Sequence, residues 1–201
     1  MKRLILIIAI VIGSSYSADA QSLFDIFKSF FGGSSKSEEV TTETPKFTTR
    51  AELLGKWVFS KGVISYSGSD PIAQMAVSAL QGQIDPYLAK AGIIPGKDNM
   101  TLCNDNRAVA NIKDKDIEGR YSYDETTGKI TVSLTIEEHS GSLVGDVTME
   151  GGALKILFKA KDALEALKRT SKSIAEDENV KIAEQIISSY PEVEFGGLFR
   201  R

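Results

Sequence analysis

His139, the single histidine of this 201-residue chain, follows Glu137 and Glu138 and precedes Ser140 and Gly141. A histidine beside carboxylates can serve as a general base or bind a metal. Here there is no second histidine, and the one cysteine, Cys103, lies on a different strand, whereas zinc needs three or four such ligands. Adjacent carboxylates on a strand point to opposite faces, so Glu137 and Glu138 do not cooperate, and His139 reads as a residue of a hairpin loop. The run Asn104-Asp105-Asn106 invites a calcium reading, but the bidentate glutamate that completes a calcium loop is missing downstream. Asn and Asp tolerate left-handed backbone, so a hairpin turn explains the run better. Glycine-rich phosphate loops and nucleophile elbows are absent. The expectation is a protein without a catalytic residue, metal or cofactor. What remains is apolar surface and two phenols, Tyr121 and Tyr123, each of which needs a hydrogen-bond partner once buried: protein, water or a ligand.

The start of the chain predicts a compartment. Lys2 and Arg3, an apolar run from Leu4 to Ile12, and small residues ending Ala18-Asp19-Ala20 form an export signal with cleavage expected after Ala20. The apolar run is too short to span a bilayer, and no later run of about 20 apolar residues exists, so a soluble periplasmic or extracellular protein is expected. No cysteine follows the run to take a lipid, which argues against a lipoprotein. The net charge is −3 over the whole chain, and cleavage makes it one unit more negative. No basic run exceeds two residues, so nucleic acid is not an expected partner. The single Cys103 reads as a small buried hydrophobe rather than a thiol that links two chains.

Three regions follow: the signal peptide at 1–20, a Phe-rich segment and flexible linker at 21–49, and one domain at 50–201. Residues 23–31 carry Phe24, Phe27, Phe30 and Phe31 at helix-like spacing, followed by a Gly/Ser/Thr/Glu-rich stretch from Gly32 to Thr44 that cannot bury enough surface to order itself. The Phe-rich segment has two readings, a docking peptide or a plug folded back on the domain. The domain opens with a helical turn at Thr49 to Leu54, where Thr49 and Glu52 have capping-box spacing, and then a strand from Lys56 to about Tyr66. Asp70 to Ala91 reads as a helix that Pro86 should kink or split. Period-two segments follow at 100–103, 108–112, 116–123, 129–138, 143–149 and 153–159, most clearly where Ile130, Val132, Leu134 and Ile136 alternate with polar residues. Helical stripes return at Leu164, Leu167 and Ile174 and again from Val180 to Ile187, before a last strand from Val193 to Phe199. The count is mainly β with added helices: about eight antiparallel strands, a helix inserted after the first strand, and helices before the last. Eight strands are enough to close an up-and-down barrel around side chains or one small ligand.

The residues Leu53-Leu54-Gly55-Lys56-Trp57, Leu88 to Ile93, Gly119 to Asp124, Leu157 to Lys161 and Ser189-Tyr190 resemble a lipocalin-like domain of unknown function found in exported proteins of Bacteroides-type bacteria. The resemblance covers about residues 50–201 and implies the calycin kind of barrel. It also implies an arginine from the last strand, Arg200 or Arg201, stacked over Trp57. The inserted helix and the lack of disulfides depart from ordinary lipocalins.

Side-chain parity points Trp57, Phe59, Tyr121, Tyr123, Val132, Leu134, Ile136, Ile156 and Phe158 into the barrel, and these are the expected ligand contacts. Two functions remain open. A carrier of a small, largely apolar molecule requires a cavity of about 300 Å³ or more. An envelope protein-interaction module requires a filled barrel and an exposed apolar patch, docking through the Phe-rich segment or the inserted helix.

Overall fold

The computed structural model describes residues 48–91, 93–136, 139–170, 181, 184 and 187–201. The expected signal peptide, the Phe-rich segment, most of the linker, and most of the stripe from Val180 to Ile187 lie outside the described residues.

The domain begins with α1 (Arg50–Leu53), one turn held by a complete capping box. The Thr49 amide donates to Glu52 Oε2 at 2.8 Å, and the Glu52 amide donates back to Thr49 Oγ1 at 3.4 Å. Eight strands follow: β1 (Gly55–Tyr66), β2 (Asn99–Leu102), β3 (Arg107–Ile112), β4 (Lys115–Asp124), β5 (Lys129–Ile136), β6 (His139–Glu150), β7 (Ala153–Lys159) and β8 (Val193–Arg200). Each pairs antiparallel with the next, and β8 pairs with β1, closing the barrel. Helix α2 (Pro71–Ala91) connects β1 to β2, and α3 (Ala160–Thr170) follows β7. No helix among the described residues is long and apolar enough to cross a membrane.

Local chemistry sets the hairpins. Asn106 has φ 67° and turns β2 into β3, and Lys113-Asp114 with φ 53° and 58° makes a two-residue turn from β3 to β4. Gly151 and Gly152, at φ 55° and 79°, do the same between β6 and β7. Close strand approach needs glycine at two further places. A Cβ on Gly196 would lie 1.8 Å from the Ile156 carbonyl oxygen, and one on Gly145 would lie 2.6 Å from that of Leu157, so β6 and β8 both press onto the backbone of β7.

Two sequence expectations change. His139 is the first residue of β6, paired with Ile136, rather than a member of a loop: the polar Ser140-Gly141-Ser142 stretch belongs to the ladder, where backbone pairing overrides its turn-like composition. Helix α2 runs unbroken through Pro86. The carbonyl that Pro86 leaves unbonded is that of Gly82, and both residues are exposed, so water can satisfy it while contacts on either side hold the helix.

Those contacts solve an edge problem. Strand β2 pairs only with Gly55 to Val58, so from Phe59 onward β1 lacks a strand on that side. The loop after α2 covers the first gap: the Phe59 amide donates to the Asp98 carbonyl and the Gly96 amide to the Phe59 carbonyl, both at 2.8 Å. Beyond it, side chains of α2 take the place of a strand. Gln81 Nε2 donates to the Gly62 carbonyl at 2.9 Å, Gln81 Oε1 accepts from the Ile64 amide at 2.9 Å, and Asp85 Oδ1 accepts from the Gly62 amide at 2.7 Å. The helix sits this close because residue 62 is glycine; a Cβ there would lie 2.5 Å from Leu88 Cδ1. Asp70 caps the helix, with its Oδ1 accepting from the Ile72 amide at 2.8 Å.

On the outer wall, half-buried Glu194 of β8 lies near Asp146 of β6. Burial, then the Asp146 charge, holds its carboxyl above the usual 4.5, while Lys129, Lys159 and Lys155 pull it back. An acid with a raised folded-state pKa contributes stability that is full below its unfolded value and is lost as pH rises through the folded one. Glu194→Gln is therefore expected to melt higher than the parent at pH 7 and equally near pH 4, as read by thermal denaturation across pH. Gln81→Ala should cost about 1–3 kcal/mol by leaving two backbone groups of β1 without partners, and should speed hydrogen exchange of the Ile64 amide.

Candidate functional site

The barrel interior divides into two halves of different character. At the end where β1 begins, and where the β2–β3, β4–β5 and β6–β7 hairpins turn, α1 closes the barrel. Leu53 and Trp57 are fully buried there with Leu102, Tyr121, Ile130, Val147 and Leu154. Trp57 Nε1 donates to the Leu53 carbonyl at 2.8 Å. The Arg201 guanidinium lies 4.7 Å from the centre of the Trp57 ring, and its Nη2 donates to the carbonyls of Glu52 at 2.8 Å and Leu54 at 3.2 Å. Of the two arginines expected over Trp57, Arg201 is the one in place.

A second arginine, Arg50, reinforces this end. Its Nη2 bonds the Asn104 carbonyl at 3.0 Å and Asn106 Oδ1, and its guanidinium stands 5.8 Å from the Tyr121 ring centre. Its backbone amide donates to Glu125 Oε1 at 2.9 Å. Nothing in the sequence around Arg50 announces this role, which depends on the β2–β3 and β4–β5 hairpins meeting in space.

The phenols find their partners in the protein. Tyr121 donates to the Cys103 carbonyl at 2.8 Å and Tyr123 to the Thr48 carbonyl at 2.7 Å. Burial raises both pKa values above the ordinary 10; for Tyr121 the Arg50 charge opposes the rise. Cys103 itself is half-buried in the β2–β3 connection rather than buried in the core, because its strand has ended one residue earlier.

The other half is hollow. A cavity of about 200 Å³ extends from the level of Leu102 and Ile130 towards the helical end of the barrel. It is lined by Phe59, Phe158, Phe195 and Phe199 on β1, β7 and β8, by Ala108, Ala110 and Ile112 on β3, by Val132 on β5, and by Ile156 on β7. Ala166 of α3 and Ile93 after α2 also reach it. Its volume falls below the 300 Å³ expected of a carrier because two helices and the α1 plug take up part of the barrel.

Of the nine residues expected to meet a ligand, the cavity brings together Phe59, Val132, Ile156 and Phe158. Trp57, Tyr121 and Tyr123 sit at the plugged end. Leu134 and Ile136 belong to β5, and their side chains lie outside the described residues. Met100, Leu102, Ala108, Ala110, Phe195 and Phe199 were not among the nine. Parity decides whether a residue faces inward but not its height along the barrel axis, which register alone sets. The signal that could have found the cavity is the pair Ala108 and Ala110, small residues at successive inward positions.

The one ionisable side chain among the described lining residues is that of Asp98, 3% exposed. Its Oδ2 accepts from the Ile94 amide at 2.6 Å and its Oδ1 from the Lys113 amide at 3.1 Å, so it ties the loop after α2 to the β3–β4 turn. Among the described residues no three His, Cys, Asp or Glu side chains gather in a way that could hold a metal.

A family model described as a lipocalin-like domain, DUF4923, matches residues 27–201. The solved structure of a DUF4847 family protein from Bacteroides vulgatus aligns at 13% identity, over 74% of this chain and 92% of that chain, with a TM-score of 0.37. No curated protein matches.

The plugged end generates a stability prediction. Arg201→Ala removes a ring contact and two charge-assisted hydrogen bonds and should cost about 1–3 kcal/mol, measured by urea denaturation. Arg201→Lys should recover little of that, because an ammonium cannot cover the ring and serve both carbonyls in one plane.

Proposed function

This chain belongs to the lipocalin-like DUF4923 family, a barrel fold that suggests a binding module, and from that premise we propose that it is an exported, non-catalytic carrier of a small, largely apolar molecule. The observation that carries the reading is the hollow half of the barrel: a cavity of about 200 Å³ walled almost wholly by carbon, in a domain whose other half is tightly filled. A void of that size in a native core costs stability through lost packing, so its presence calls for an occupant.

The cavity also bounds the occupant. An apolar cavity of about 150 Å³ is enough to hold benzene, so this one accepts a compact group and excludes a full-length lipid chain. The export reading is supported by the signal-like first 20 residues, and the family match begins at residue 27, after them. The interaction-module reading is less favoured. Among the described residues the exposed large apolar side chains are Ile72, Ile94 and Val144, on α2, the loop after it and β6, and such scattered residues are ordinary on a protein surface.

Native mass spectrometry of the protein purified from its own cells, followed by organic extraction, tests the proposal. The expected result is a stoichiometric small neutral compound, absent from Ala110→Leu protein, whose melting temperature is unchanged or raised because the leucine fills the void. A clean apo mass together with no thermal shift across a panel of lipids and metabolites would overturn the carrier reading and leave the interaction module in its place.

A further inference from the structure

We propose that the group held in the cavity is a single uncharged planar ring rather than an alkyl chain; this inference rests on the carrier reading. It comes from the unequal walls of the cavity. On one side, β7, β8 and β1 place two cross-strand phenylalanine pairs, Phe158 opposite Phe195 and Phe59 opposite Phe199. Between them on the inward face of β8 stands Gly197. A Cβ at Gly197 would lie 2.9 Å from the Phe199 ring and 3.1 Å from the Phe59 ring, so both rings lean over the glycine and pave that wall. They meet edge to face, with centroids 5.7 Å apart and planes at 69°.

The opposite side of the barrel, built from β3 and β4, presents Ala108, Ala110 and Ile117. The void therefore lies between an aromatic wall and an aliphatic wall that is shallow at Ala108 and Ala110, and a flat group fills such a space with less loss of conformational freedom than a flexible chain does. The aromatic wall adds a directional preference. Ring quadrupoles attract a further ring in offset or edge-on contact beyond what apolar burial gives, and an alkyl chain receives only the burial.

Charge is excluded by the same geometry. Asp98 is the ionisable group among the described lining residues, and both its carboxylate oxygens already accept backbone amides. An anionic ligand atom would face that carboxylate without a partner, and a cationic one would meet only a carboxylate already held by two amides in a space otherwise walled by carbon, so either would bear most of the cost of desolvation. Polar substituents of the ligand must therefore point out of the cavity. The volume admits one ring with a small substituent.

The test compares probes of matched heavy-atom count, toluene and benzyl alcohol against n-heptane and n-heptanol, binding to the purified chain labelled at its alanine methyls. Measured relative to each probe's own transfer from water to alkane, the inference expects the ring compounds to bind about three- to tenfold tighter than the chains and to move the Ala108 and Ala110 resonances. Phe199→Leu, which keeps most of the volume, should bring that ratio close to one; Phe59→Leu serves in its place if Phe199→Leu does not fold, as judged by thermal denaturation. Chains that bind as tightly as rings, or a ratio unaltered by the substituted phenylalanine, would overturn the ring assignment and leave the carrier reading standing. No binding by either class, with the alanine resonances unmoved, would remove the carrier reading and the ring assignment together.

Discussion

Everything in this domain depends on β1 and β8 meeting. They are the first and last strands of the sheet, far apart in sequence, and their ladder from Val58–Arg200 to Tyr66–Val193 turns an open sheet with two exposed edges into a barrel with an inside. The contact that finishes the closure is not a backbone bond. Arg201, just past the end of β8, covers Trp57 near the start of β1 and bonds two carbonyls of the segment around α1. One side chain thus joins the last strand, the first strand and the plug, and its position fixes which end of the barrel is shut.

Closure at that end explains why the interior is not uniform. Bulky residues, Trp57, Tyr121 and Leu53, crowd the plugged half, with both tyrosine hydroxyls satisfied by protein carbonyls. The opposite half has four phenylalanines on one wall and Ala108 and Ala110 among the aliphatic residues of the other, so the volumes do not add up to a filled core. A barrel of eight strands can be filled by its side chains, and here Ala108 and Ala110 on β3 are too small for that. The filled barrel and the hollow one, which look like competing readings of the sequence, coexist at different heights in one molecule.

The sequence carried the local decisions well. The capping box at Thr49 and Glu52, the hairpin turn at Asn104-Asp105-Asn106, and the strand that carries Ile130 and Val132 all rest on interactions between near neighbours, and each takes the form that those residues dictate. Less legible were features set by distant partners. The register irregularity between Phe59 and Lys61 changes which residues of β1 face inward beyond it, so Gly62, Ile64 and Tyr66 turn to the inside. Pro86 looks like a break when the helix is read alone, and is tolerated because Asp85 and Leu88 on either side are fixed to β1. The tyrosines face inward as alternation requires but meet carbonyls of the plugged end, which no pattern within their own strand could reveal.

The hydrogen bonds from Gln81 and Asp85 to β1 bear on how the chain can fold as well as on how it is held. Their partners are only 17 to 23 residues apart in sequence, whereas β8, which covers the other edge of β1, is among the last parts of the chain to become available. Contacts between near neighbours form early, and long-range strand pairing forms late. For the interval before closure, β1 would otherwise offer two bare edges to any passing extended chain. A helix that follows β1 directly and carries its own amide and carboxylate to the strand's backbone halves that exposure, acting as a chaperone built into the chain.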